Sequence, residues 1–118
     1  MTEHMSSEQY KAYLSKPKGS KFGNVKTEVD GHLFDSKAEA NRYVELKMLQ
    51  AAGEIKGFMI QPSYVIGEGI RYRPDFMVCD MNDKVWVEDV KGMETKEFKI
   101  KQKLWDTKYP WLELRIVR

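Results

Sequence analysis

The sequence predicts an α/β domain built on a mixed sheet, with elements in the order helix, three strands, helix, strand. Two segments, Ser36 to Ala52 and Glu94 to Lys108, place apolar residues at helical intervals. Between and after them, runs rich in β-branched and aromatic residues are bounded by Asp, Asn, Gly and Pro, which reads as strands and turns. At 118 residues the chain is long enough for one core and too short for two.

The N-terminal 20 residues read as an extension. Ser7 to Leu14 suits one short helix capped by Ser6 or Ser7, and Lys16-Pro-Lys-Gly-Ser-Lys reads as a basic linker whose three lysines can reach phosphates. Thr27 to Phe34 holds Asp30-Gly31 between TEV and HLF, a strong hairpin signal.

In the first main helix Ser36 caps the N-terminus, Glu39 falls at the third helical position to complete a capping box, and Gly53 ends it. Tyr43, Leu46 and Leu49 or Gln50 form its apolar stripe, and Glu39 stands at the edge of that stripe, facing the sheet. Two roles therefore stay open for Glu39 and are compatible: a structural cap, and a carboxylate that reaches a metal on the sheet.

Phe58 to Ile66 reads as a strand containing a proline, hence an edge strand or a bulge. Ile70 to Cys79 (IRYRPDFMVC) and Lys84 to Lys91 (KVWVEDVK) read as a hairpin of two strands. With Met81-Asn82-Asp83 as its loop, paired positions sum to 164 and Asp75 faces Asp89. A two-residue loop shifts the register by one and sets Asp75 against Glu88 instead.

Opposed side chains on a sheet have Cβ atoms about 5 Å apart, close enough for two ionised carboxylates to repel unless a cation lies between them. Alternation puts Lys91 on the face of Asp89 and Glu88 on the other. Scattered charge on a solvated hairpin is the plainer reading. It is weakened by Val85 and Val87, which share the parity of Asp89 and suggest a partly buried face.

In the second helix Phe98, Leu104 and Trp105 point to the core while Lys96, Lys99 and Lys103 line another face; Tyr109-Pro110 stops it. Leu112 to Val117 alternates as a final strand. From Lys91 to Arg118 there are eight Lys/Arg against four Asp/Glu, whereas Gly31 to Val90 has seven against ten. An acidic middle and a basic last third suit a protein that binds a polyanion, although a mixed surface on any soluble domain gives a similar split.

Cys79 is the single cysteine, which excludes an internal disulfide and a cysteine-rich zinc site and fits a reducing cytoplasm. Inside a strand it reads as a small core residue. No apolar run approaches a membrane span and no signal-peptide pattern is present.

Pro74-Asp75, Asp89-Val90-Lys91 and helical Glu39, in this element order, resemble the PD-(D/E)XK nuclease superfamily. More narrowly, the segments FGNVKTEVDGHLFDSKAEANRY, VEDVKG and KLWDTKYP are similar to a family of small phage and prophage proteins labelled endonucleases or Holliday junction resolvases. The similarity covers roughly residues 21 to 118 and implies a restriction-endonuclease-like αβββαβ core for that stretch.

The resemblance implies Asp75 and Asp89 as metal ligands, Lys91 as the motif's lysine, Val90 as a backbone-carbonyl ligand and Glu39 as the first-helix glutamate, around Mg²⁺ or Mn²⁺. Gln61 also belongs to the family pattern, without an assigned role. The expected activity is metal-dependent cutting of DNA, selective for branched structures, by a cytoplasmic protein encoded by phage or prophage and acting alone or as a homodimer. Arg71, Arg73, Lys96, Lys99 and Lys103 are the expected nucleic-acid contacts; for any one of these lysines an ordinary solvated helix face is the competing reading. The other roles for the fold are a catalytically idle nucleic-acid-binding module and an interaction protein. For Lys91, the other role is an ion pair with Asp89.

Overall fold

A computed structural model describes residues 25–118; the helix expected at Ser7 to Leu14 and the basic linker lie outside the described residues. Strands β1 (Thr27–Val29) and β2 (His32–Phe34) form the expected hairpin, with Thr27 opposite Phe34. Asp30 and Gly31 take the two left-handed turn positions at φ 52° and 81°, where a glycine costs least.

Helix α1 (Lys37–Ala51) starts at Ser36, whose Oγ accepts the Glu39 N–H at 3.1 Å. It ends before Gly53, which has φ 77°. Tyr43 and Leu46 of the expected stripe are buried, and Ala40 joins them. The Tyr43 hydroxyl donates to Asp30 Oδ2 at 2.9 Å, which ties the helix to the hairpin before it.

Strand β3 spans Ile55–Ile60, β4 Tyr64–Gly67, β5 Ile70–Tyr72, β6 Phe76–Asp80 and β7 Val85–Val90; helix α2 (Lys96–Lys108) and strand β8 (Glu113–Val117) follow. Two expectations are corrected here. Phe58 to Ile66 is not one strand, because Gln61 turns the backbone into the left-handed region (φ 47°) and Pro62 has no N–H for a ladder. Ile70 to Cys79 is likewise divided, at Arg73 and Pro74, so β5 pairs with β4 in a separate two-stranded sheet.

The main sheet runs β3-β6-β7-β8, with β3, β6 and β7 antiparallel and β8 parallel to β7. A parallel neighbour needs a crossover, and α2 supplies it. Leaving aside the β4–β5 hairpin, the order α1, β3, β6, β7, α2, β8 is the helix, three strands, helix, strand that the sequence predicts.

Each face of this sheet carries its own apolar cluster. Phe76, Val78 and Trp86 pack with Phe34, Ala40, Tyr43, Leu46 and Ile55 on the α1 side. Val87 packs with Ile66, Tyr72, Phe98, Ile100 and Trp105 on the α2 side. Covered on both faces, β7 is buried from Trp86 to Asp89, so each charged group there must be matched by the face it enters. No helix among the described residues is long and apolar enough to cross a membrane.

Candidate functional site

The β6–β7 hairpin decides where the carboxylates go. Phe76 opposes Glu88, Met77 Val87, Val78 Trp86 and Cys79 Val85, the register in which positions sum to 164. The loop has three residues, Met81 to Asp83, closed by Asp83 at φ 65°. Asp80 Oδ1 accepts the N–H groups of Asn82 and Lys84 at 2.8 and 2.9 Å, and an aspartate before a turn favours this loop over a shorter one. Continued by one position, the ladder sets Asp75 opposite Asp89.

Asp75 lies just before β6, where Pro74 interrupts the strand. Its N–H donates to Glu88 O at 3.0 Å, its carbonyl accepts from Gln61 N–H at 2.8 Å, and its Oδ2 accepts the Val90 N–H at 2.6 Å. The left-handed bend at Gln61 thus serves to dock the end of β3 on Asp75. Burial, followed by the charge of Asp89 and its hydrogen bond, and then the charge of Glu39, pushes the Asp75 carboxyl well above the ordinary carboxylate range, while the Val90 N–H pulls the other way. Two carboxyl groups that share a hydrogen bond must hold a proton between them, which is how an acid pair satisfies itself when no cation is bound.

Asp89 is 4% exposed and faces α2. The Tyr72 hydroxyl donates to its Oδ2, and Lys91 Nζ stands 3.7 Å from its Oδ1. Lys91 also sits over the Phe98 ring at 5.0 Å, and its main chain continues the ladder by donating to Val117 O at 2.9 Å. Both the ion-pair reading of Lys91 and its place beside the carboxylates are therefore realised together.

Glu88 takes the opposite face, as alternation requires. There it is 1% exposed, accepts from Arg42 Nε and Nη2 at 2.8 and 2.7 Å, and accepts from Trp86 Nε1 at 2.9 Å. This bidentate pair raises the guanidinium's proton affinity, chiefly through the Glu88 hydrogen bonds. Glu88 is thus fully engaged in structure. Of two adjacent buried acids, one is neutralised by an arginine and the other is left with a hydroxyl and a more distant ammonium.

Glu39 takes part in the cap: its N–H donates to Ser36 Oγ, and its Oε2 accepts the N–H of Asp35, one residue before the N-cap that a capping box would use, at 3.3 Å. It is also buried and close enough for its charge to be felt at Asp75. Among the described residues, however, no three His, Cys, Asp or Glu side chains are grouped as a metal site. The cluster is consequently a carboxylate pair with Glu39 beside it.

Val90 contributes its N–H to Asp75 in the way given above. Arg71 and Arg73 flank Tyr72 and are exposed, Arg71 reaching Ser63 Oγ at 3.5 Å. Lys96, Lys99 and Lys103 are exposed along α2, as expected. The sequence does not single out Tyr72, Arg42 or Lys101, and all three bear on the site. Tyr72 has a legible signal, because strand alternation turns it away from Arg71 and Arg73 toward the Asp89 face. Lys101 is 6% exposed with Nζ 5.4 Å from the Tyr72 ring centre, and nothing in the helical spacing marks it apart from the other lysines.

The model of a family described as a protein of unknown function, DUF1064, matches residues 19–118. No curated protein and no solved structure matches the chain.

Proposed function

We propose that this chain, which belongs to the DUF1064 family, is a metal-dependent endonuclease that hydrolyses phosphodiester bonds in DNA. Branched DNA of the Holliday-junction kind, in phage recombination, replication or packaging, is the substrate class the sequence resemblance favours. The observation that carries the reading is the buried pair Asp75–Asp89 with Lys91 Nζ 3.7 Å from Asp89.

The donor set suits a hard divalent cation. Mg²⁺ keeps several waters and binds through one or two carboxylates together with substrate phosphate, so a pair, without a third acid enclosing it, is an adequate seat. Asp75 and Asp89 would hold the ion, with the Val90 carbonyl and Glu39 as further oxygens nearby. When bound, Mg²⁺ or Mn²⁺ supplies Lewis acidity toward the phosphate and a bound water of lowered pKa.

The remaining roles belong to the chain itself. Tyr72 and the Val90 N–H fix one oxygen each of Asp89 and Asp75, so the carboxylates do not rotate freely. As an ammonium, Lys91 would bring positive charge to an attacked phosphate and orient the attacking water by donating to it; only as the neutral amine would it instead help deprotonate that water. Phe98, under the Lys91 ammonium, restricts where that ammonium moves. Arg71, Arg73, Lys96, Lys99 and Lys103 offer exposed cations for phosphates on either side.

A second reading is a catalytically idle nucleic-acid-binding module on the same fold. The deciding assay incubates the protein with four-way junction, flap, duplex and single-stranded DNA in Mg²⁺ and in Mn²⁺, beside Asp89→Ala. Cleavage that needs both the metal and Asp89 is the expected result. Binding without cleavage in either metal would leave the idle module in its place.

A further inference from the structure

Trp86 and Trp105 are buried, whereas Trp111 is 77% exposed, more than any other large apolar side chain among the described residues. The chain on both sides of it is nonetheless fixed. Tyr109 N–H donates to Trp105 O at 2.7 Å, Leu112 N–H to Tyr109 O at 3.0 Å, and Trp105 Nε1 to Leu112 O at 2.8 Å. The Tyr109 hydroxyl donates to Val65 O at 2.6 Å and so pins the turn to β4. The Tyr109 ring meets the Trp111 indole edge-on at 5.9 Å. An indole displayed from so well tied a turn loses little freedom when a flat partner stacks on it.

The charge around it says what that partner is. Helix α2, which leads from the Lys91 end of the molecule to Trp111, carries four exposed lysines, besides the buried Lys101, against two acids. Lys96, Lys99 and Lys103 fall on one side of it at spacings of three and four, and exposed Lys108 stands at its end, next to the turn. Thirteen residues of helix span about 18 Å, the length of a few nucleotides of extended strand. Cations that follow a backbone and an aromatic face that takes any base are the two components of single-strand binding. A base inside a duplex has neighbours on both faces, so away from duplex ends only an unpaired base offers a face to Trp111.

We propose that Trp111 stacks on an unpaired nucleobase, and that the nucleic acid this protein binds contains a single-stranded segment along α2. The inference rests on the nuclease reading for the identity of the polymer, and not on whether the chain cuts it.

The test uses the full-length chain in EDTA, where cleavage is absent, titrated with oligo(dT) and with blunt duplex while tryptophan emission is followed. Oligo(dT) is expected to quench the emission, because Trp111 is 77% exposed whereas Trp86 and Trp105 are buried. Trp111→Ala is expected to lose that quench and to bind oligo(dT) about tenfold more weakly, with its duplex affinity changed less than twofold. Equal quenching by blunt duplex, or unchanged oligo(dT) affinity in Trp111→Ala, overturns the proposal. So does a shift in emission that depends on protein concentration without DNA, which would make Trp111 a protein contact. Cleavage of the same substrates in Mn²⁺ is scored separately: no cleavage with Trp111-dependent binding sinks the nuclease reading alone, and cleavage with Trp111-independent binding sinks this one alone.

Discussion

Replacing Asp75 by Asn is expected to make the protein more stable and inactive at once. Asp75 is buried against Asp89, and burial followed by that neighbour's charge raises its proton affinity. Two carboxylates about 5 Å apart, as opposed positions on a sheet are, repel by about 3 kcal/mol at an effective dielectric of about 20. Protonation of Asp75 already relieves part of this, so the gain in Asp75→Asn is about 2 kcal/mol. For a domain of this size that is about 8 °C in Tm. The amide keeps an oxygen to accept the Val90 N–H, so the substitution leaves the backbone where it is. The sign of the pH dependence follows from the direction of the shift. A folded state that holds its proton more tightly than the unfolded one binds more protons from the ordinary 3.8 upward to the raised value, so stability falls as pH rises through that window. The wild type should therefore approach Asp75→Asn in Tm as the solution is acidified, and the gap should widen as pH rises through the raised value. Thermal melts followed by circular dichroism in EDTA at several pH values measure this. Adding Mn²⁺ should then raise the Tm of the wild type and leave Asp75→Asn unmoved. An Asp75→Asn protein no more stable than wild type at neutral pH, or a gap independent of pH, would refute a repulsive carboxylate pair.

The other expectations separate structure from chemistry. Arg42→Ala leaves Glu88 buried without its guanidinium and should cost about 3 kcal/mol, seen as a loss of about 12 °C in Tm. Ser36→Ala removes the α1 cap and should cost about 1 kcal/mol in a urea melt, with metal response unchanged. Asp89→Ala and Lys91→Ala should each abolish cleavage while their melts stay cooperative; full activity in Asp89→Ala would remove the assignment. DNA affinity in EDTA should fall linearly with salt on a log–log plot, and Lys99→Ala should make the slope shallower by about one.

Elements with a local signature were legible from the chain. Ser36, Glu39 and Gly53 define α1 by hydrogen bonds made within a turn, and Asp30-Gly31 defines its hairpin by backbone conformation alone. The β6–β7 register was legible for the same reason, since Asp80, Asn82 and Asp83 choose the loop length and the loop length chooses which acids face each other. What the sequence concealed depends on contacts between distant segments. Pro62 reads as an edge strand or a bulge within one strand, and the full break there comes from the left-handed backbone of Gln61, whose N–H docks on Asp75 O. Tyr72 reaches Asp89 because β5 leaves the main sheet at Arg73 and Pro74, a departure that a continuous run from Ile70 to Cys79 does not announce. Arg42 is one of several polar residues on α1 until Glu88 arrives from 46 positions away.

The contrast between Glu88 and Asp89 bears on why the pair with Asp75 exists at all. Both are almost wholly buried on the same strand, and the fold evidently can neutralise a buried acid, since it gives Glu88 two guanidinium bonds and an indole N–H. On the other face it does not repeat this solution. Asp89 receives a hydroxyl, which carries no charge, and a lysine at 3.7 Å, while the nearest acid is another carboxyl. With Asp75 protonated, Asp75, Asp89 and Lys91 sum to zero charge; with Asp75 ionised they sum to minus one, and Glu39 adds to it. A core selected for stability alone has no use for such an arrangement, because an apolar residue or a second arginine at either position would remove the repulsion. On the proposed reading, a cluster that gains negative charge when Asp75 loses its proton would exchange that proton for a divalent cation.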